Sequence, residues 1–137
     1  MSVPVYRRNE SPTEFLRTAR DIEEIFIDLR INKPKRYTFF FDKLLEYSFN
    51  LLSAVKAGNS IYPENQDEVR IRIMYFKQGI AHCQVLASQI EVVYHKLKID
   101  GIPVGLVKEL SEKLTYEIKL LKGIISSDKK RYANLPK

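Results

Sequence analysis

The sequence is poor in the residues from which many sites are built. It holds one cysteine, Cys83, so neither an intrachain disulfide framework nor a cysteine-rich zinc site can form. The two histidines, His82 and His95, lie thirteen residues apart, not at the three- or four-residue spacing that gathers ligands on a helix. No metal and no other cofactor is expected. Tryptophan is absent, and the five glycines and six prolines are few; most of them sit where a helix would begin or end. No apolar run approaches the roughly 18 residues of a membrane span. The opening MSVPVYRRNESP lacks the apolar stretch of a signal peptide, so no membrane partner is expected and the cytosol is the expected location.

The usual catalytic constellations are missing as well. Gly101-Ile102-Pro103-Val104-Gly105 lacks the Lys and Ser/Thr of a phosphate-cradling loop. Cys83 and His82 are neighbours in the chain, but on a helix their side chains diverge by about 100°. Cys83 falls on an apolar stripe, where a free thiol acts as a small filler. Glu91 and His95 are four apart rather than the three of a di-iron bundle motif, and no second pair exists. No enzymatic activity is expected.

What is present is helical periodicity. With 137 residues, 45% hydrophobic and 29% charged, the chain is long enough for one globular domain with a proper core. Ser11-Pro12-Thr13-Glu14 predicts a helix start, with Ser11 as cap and Glu14 closing a capping box. Phe15, Ala19, Ile22, Phe26 and Leu29 continue it to about Asn32 before Pro34. A second helix starts at Lys35 or Arg36 and carries Tyr37, Phe40, Phe41, Leu44, Leu45, Leu51, Leu52 and Val55, with Ser48 as the weak step. Gly58 is available for a left-handed cap at its end.

The third stripe runs Val69, Ile73, Phe76, Ile80, Cys83, Ala87, Ile90, Tyr94 and Leu97, opened by a capping box of Asn65 with Glu68. Beside it, Tyr75, Gly79, Leu86 and Val93 form a second line that either widens the core face or meets another subunit. After a turn at Asp100-Gly101-Ile102-Pro103, the fourth stripe uses Val107, Leu110, Leu114, Ile118, Leu121 and Ile125 and fades at Ser126-Ser127-Asp128. No segment alternates like a strand. Four amphipathic helices with short connections predict an all-α, antiparallel up-down-up-down four-helix bundle over residues 11–128. An N-terminal arm (1–10) and a basic C-terminal tail (129–137) flank it.

The charge is uneven: 23 Lys and Arg against 17 Asp and Glu, a net +6. Such an excess favours anionic partners, nucleic acid or an acidic protein face. The topology gathers Arg30, Lys33, Lys35 and Arg36 at one pole. Arg7, Arg8, Arg17, Lys56, Arg70, Arg72, Lys129, Lys130 and Arg131 fall at the other, against Glu10, Glu14, Glu64, Asp67, Glu68 and Asp128. Aromatic residues interleave at Lys35-Arg36-Tyr37 and at Lys129-Lys130-Arg131-Tyr132, as in phosphate-binding surfaces. Near helix C-termini, cations such as Arg30, Lys33, Lys96 and Lys98 also answer the helix dipole, by about 0.3–1 kcal/mol each. The tail, expected outside a helix, gains little that way.

Three strings carry a resemblance: Lys35-Arg36-Tyr37-Thr38-Phe39-Phe40, Asn59-Ser60-Ile61-Tyr62-Pro63 and Ser127-Asp128-Lys129-Lys130-Arg131-Tyr132. With the four-helix layout, the chain resembles a bacterial and phage family of small four-helix-bundle proteins. That family includes the accessory variability determinant of diversity-generating retroelements and proteins encoded in intervening sequences of large-subunit rRNA genes. The resemblance implies a basic homo-oligomer, a pentamer, that binds RNA or DNA and associates with a reverse transcriptase without catalysing anything itself. Among the matching strings, Lys35, Arg36, Lys129, Lys130 and Arg131 are the positions to which nucleic-acid binding would transfer. The alternative is a protein–protein scaffold that docks an acidic partner without touching nucleic acid.

Overall fold

The computed structural model describes residues 5–32, 37–97 and 104–137. It holds helices α1 (Val5–Asn32), α2 (Thr38–Asn59), α3 (Gln66–Leu97) and α4 (Val104–Arg131), with no strand among the described residues. The contacts fix the directions. Between α3 and α4, Arg72 meets Asp128 and Gly79 faces Leu121, so one number rises as the other falls. The same holds between α2 and α3, where Gly58 lies against Phe76 and Tyr47 beside His82. On the diagonal, Phe15 of α1 packs edge-to-face on Phe76 at 5.5 Å, while Leu29 and Ile90 border one small gap at the other end. These numbers rise together, so α1 and α3 run parallel. The result is the expected up-down-up-down bundle.

Its core is the expected stripes. Phe15, Ala19, Ile22, Phe26 and Leu29 of α1 are buried, as are Phe41, Leu44, Leu51 and Val55 of α2. Gly79 and Leu86 are buried too; the second line on α3 therefore belongs at these positions to a wide core face and not to a subunit contact. Ser48 is fully buried, and its hydroxyl donates to the Leu45 carbonyl at 2.7 Å. Phe40, expected in the core, is 49% exposed, because its neighbour Phe41 takes the inward position.

The helix ends differ in instructive ways. α1 begins at Val5, so Ser11 and Pro12 lie inside it and residues 5–10 of the expected arm are helical. Proline's fixed φ suits a helix, which continues through it at the loss of one backbone bond. α2 starts at Thr38; Lys35 and Arg36, its expected start, lie outside the described residues, as does the turn at 100–103. The residue after α2, Ser60, is right-handed (φ −79°, ψ −12°), so no left-handed glycine cap is used. Gly58 instead permits close approach: a Cβ there would sit 2.8 Å from Phe76 Cε1.

At the start of α3 the Glu68 backbone N–H donates to Asn65 Oδ1 at 2.9 Å. The Glu68 carboxylate accepts from the Glu64 N–H at 2.8 Å, one residue further out than a capping box. α4 runs to Arg131, past the expected fade at Ser126 to Asp128, because Asp128 is an interior residue.

The two kinds of glycine predict opposite outcomes in thermal or urea melts. Gly58→Ala forces a Cβ into the fully buried Phe76 and destabilises by roughly 1–3 kcal/mol. Gly123→Ala, whose Cβ meets nothing within 4 Å, stabilises α4 by up to about 1 kcal/mol.

Candidate nucleic-acid interface

One pole of the bundle is tied together by a buried ion pair. Arg72 Nε donates to Asp128 Oδ2 at 2.8 Å, and the two side chains are only 10% and 2% exposed. Nη2 donates to the other Asp128 oxygen at 3.5 Å, Nη1 reaches the carbonyls of Ile61 (3.0 Å) and Gly58 (3.3 Å), and the group lies over the Phe76 ring. One side chain on α3 thus binds the end of α4, the end of α2 and the connection between α2 and α3.

The chain after α4 is fastened to the same pole. The backbone N–H of Gln66, in the first turn of α3, donates to the Pro136 carbonyl at 2.8 Å. Its side-chain amide donates to the carbonyls of Tyr132 (2.7 Å) and Leu135 (3.1 Å). These bonds satisfy donors that a helix start leaves over, and Tyr132 and Leu135 pack against the core. The segment expected as a basic tail is helical to Arg131 and docked on α3 beyond it.

Lys129, Lys130 and Arg131 are exposed and form the last turn of α4. Inside a helix they do complement its dipole, contrary to the expectation for a tail. Beyond Glu117 the chain carries Lys119, Lys122, Lys129, Lys130, Arg131 and Lys137, and its one acid is Asp128. Asp128 is buried against Arg72, so this stretch presents cations with no exposed carboxylate side chain among them.

A cleft of about 590 Å³ opens beside this stretch. Lys119, Gly123, Ser127 and Arg131, spaced by four along α4, form one wall, while Asn59, Tyr62 and Phe15 line it from the other elements. Arg131 lies 5.7 Å from the Tyr132 ring centroid.

The other expected positions are scattered. Arg30 at the end of α1 is ion-paired with Asp42 of α2. Arg7 and Arg8 lie near the start of α1. Lys33, Lys35 and Arg36 lie outside the described residues. Of the expected set the structure places Arg131 in the lining of the cleft, with Lys129 and Lys130 in the same last turn of α4, and it adds Lys119 and Tyr62.

A second buried polar group went unforeseen. Glu117 is fully buried on the inward face of α4, and neither carboxyl oxygen has a hydrogen-bond partner among the described residues. Burial, aided by the nearby Glu14 charge, pushes its carboxyl from 4.5 up to about 9, so it is protonated at neutral pH. Burial and Glu117 together push the Cys83 thiol up as well, which makes it an unreactive core residue. His82 is half-buried beside Tyr47, and burial lowers its pKa. Among the described residues, no group of three or more His, Cys, Asp or Glu could hold a metal ion. No helix there is long and apolar enough to cross a membrane.

Two predictions follow from the buried charges. Removing either Arg72 or Asp128 alone strands its partner and costs about 3–5 kcal/mol. The double variant Arg72→Met/Asp128→Leu costs clearly less than the sum of the two, as a double-mutant cycle in urea will show. The folded chain keeps the Glu117 proton that the unfolded chain releases above about pH 4.5, so its stability is full below that pH and falls as pH rises towards about 9. The slope reaches at most about 1.4 kcal/mol per pH unit. Glu117→Leu flattens it, with a gain over wild type that grows with pH, measured by urea unfolding at about pH 5, 7 and 9.

No family model matches the chain, and no curated protein or solved structure matches it either.

Proposed function

We propose that the chain is a non-catalytic nucleic-acid-binding accessory protein whose phosphate-binding surface is the C-terminal half of α4. The observation that carries this reading is the one-sided charge after Glu117: six cations, with the single acid withdrawn into the core by Arg72. Phosphate backbones are recognised by such runs of Lys and Arg, and the affinity comes largely from released counterions. Exposed Tyr62 and half-buried Tyr132 at the same pole add faces on which bases can stack.

The family resemblance extends the proposal to a homo-oligomer, a pentamer, with a reverse transcriptase as protein partner. Subunit contacts would use the exposed apolar residues of α3, Ile71, Met74 and Val92, in place of the buried Gly79 and Leu86.

Fluorescence anisotropy with a labelled oligonucleotide, titrated across salt concentrations, tests the reading. Affinity is expected to fall steeply with salt, by about 0.9 log unit per phosphate contact per log unit of salt on duplex DNA. Lys129→Gln/Lys130→Gln/Arg131→Gln should weaken binding about tenfold or more and make the salt slope shallower. The lost dipole interactions should cost the fold no more than about 3 kcal/mol. Binding that ignores salt, or a chain that binds no oligonucleotide while retaining an acidic protein after nuclease treatment, would replace this reading with the protein scaffold.

A further inference from the structure

The cleft beside α4 has features that a surface for duplex phosphates does not need. Its α4 wall places two cations, Lys119 and Arg131, at the ends of a ridge whose middle positions are Gly123 and Ser127. Twelve residues of helix separate the cations, about 18 Å. Between them the wall is stripped to small residues, and in the direction of a Gly123 Cβ there is open space to at least 4 Å. Glycine is the weakest ordinary choice inside a helix, by about 1 kcal/mol against alanine, and here it keeps the space between the cations empty.

Across the cleft stands Tyr62, 82% exposed, an unfavourable position for an aromatic ring with nothing to cover. Its backbone is held in place, because Arg72 grips the carbonyl of the preceding residue, Ile61, at 3.0 Å. Leu120 and Ile124 add apolar surface to the α4 side. The one carboxylate of the lining, Asp128, is neutralised by Arg72. The volume of about 590 Å³ lies within the roughly 300–1,000 Å³ of small-ligand clefts.

From this arrangement we infer that the cleft receives a short unpaired stretch of a single strand. One of its bases stacks on Tyr62, and two backbone phosphates about three nucleotides apart, matching the roughly 18 Å between the cations, are held by Lys119 and Arg131. A duplex keeps its bases inside its own stack and presents only phosphates and groove edges, so it gains nothing from the ring or the cleared ridge. Unpaired bases are bound through exposed aromatic rings combined with cations that track the backbone. The inference rests on the nucleic-acid reading above and adds to it a preference for single strands located in this cleft.

The test compares Tyr62→Ala and Gly123→Leu with wild type, using a short labelled single strand (DNA and RNA forms), the matching duplex, and adenosine monophosphate as competitor. Tyr62 is exposed and the Gly123 Cβ direction is open, so neither variant should melt below wild type, and Gly123→Leu should melt slightly above it. Each is expected to weaken single-strand binding about tenfold and to leave duplex binding unchanged, whereas Lys129→Gln/Lys130→Gln weakens both. Wild-type binding of single strand and duplex that is equally unaffected by the two cleft variants overturns this inference and leaves the broader reading standing. Displacement of the strand by the mononucleotide at comparable concentration also overturns it, since the cleft would then serve a free nucleotide. If wild type binds neither strand nor duplex, both readings fall.

Discussion

The pole that carries the candidate site is organised by one guanidinium. Arg72 enters the interior from α3 and is matched there by the Asp128 carboxylate and by two backbone carbonyls from the end of α2 and its following loop. A buried pair of this kind returns little net stability over apolar packing, because both charges have been taken out of water. Its effect is geometric: it sets where the α2–α3 connection stands relative to the last turn of α4. It also removes the one acid from an otherwise cationic stretch. The electrostatics of the surface are thus set by a contact beneath it.

Most of the bundle was legible in the sequence because packing between helices imposes steps of three and four on the apolar residues. The stripe from Phe15 to Leu29 translates directly into buried residues, as does the α3 stripe at Val69, Ile73, Phe76, Cys83 and Ile90, while Ile80 and Ala87 are partly buried. Helix ends were less legible, for physical reasons. Ser11-Pro12 has the composition of a start because proline suits a first turn, yet α1 begins at Val5 and carries Pro12 in its interior. Gly58 has the composition of a cap, yet it is small because Phe76 occupies the space where a side chain would go.

The candidate site was legible only in part. The cations from Lys129 to Arg131 were visible as a run, but their place in a helical last turn depended on Asp128 being interior. The signal for that was available. The stepping through Leu110, Leu114 and Leu121 passes through 117 and 128, and the stepping through Val69, Phe76 and Cys83 passes through 72. Polar residues on those steps are either partnered inside the protein, as Arg72 and Asp128 are, or kept neutral, as Glu117 is. The cleft was not legible at all, because it is formed by residues of all four helices and of the α2–α3 connection, and by the space that Gly123 leaves.

The wiring of Arg72 also has a consequence for synthesis on the ribosome. Chain order delivers α2 and α3 well before the last turn of α4, so the nascent hairpin holds a cation at an interior position with only carbonyls to receive it. Until residue 128 emerges, an interior Arg72 has no carboxylate in this pair to offset the cost of leaving water. The counter-charge is thus the last of Arg72's partners to be synthesised, well after the carbonyls of Gly58 and Ile61 and the tail-binding Gln66.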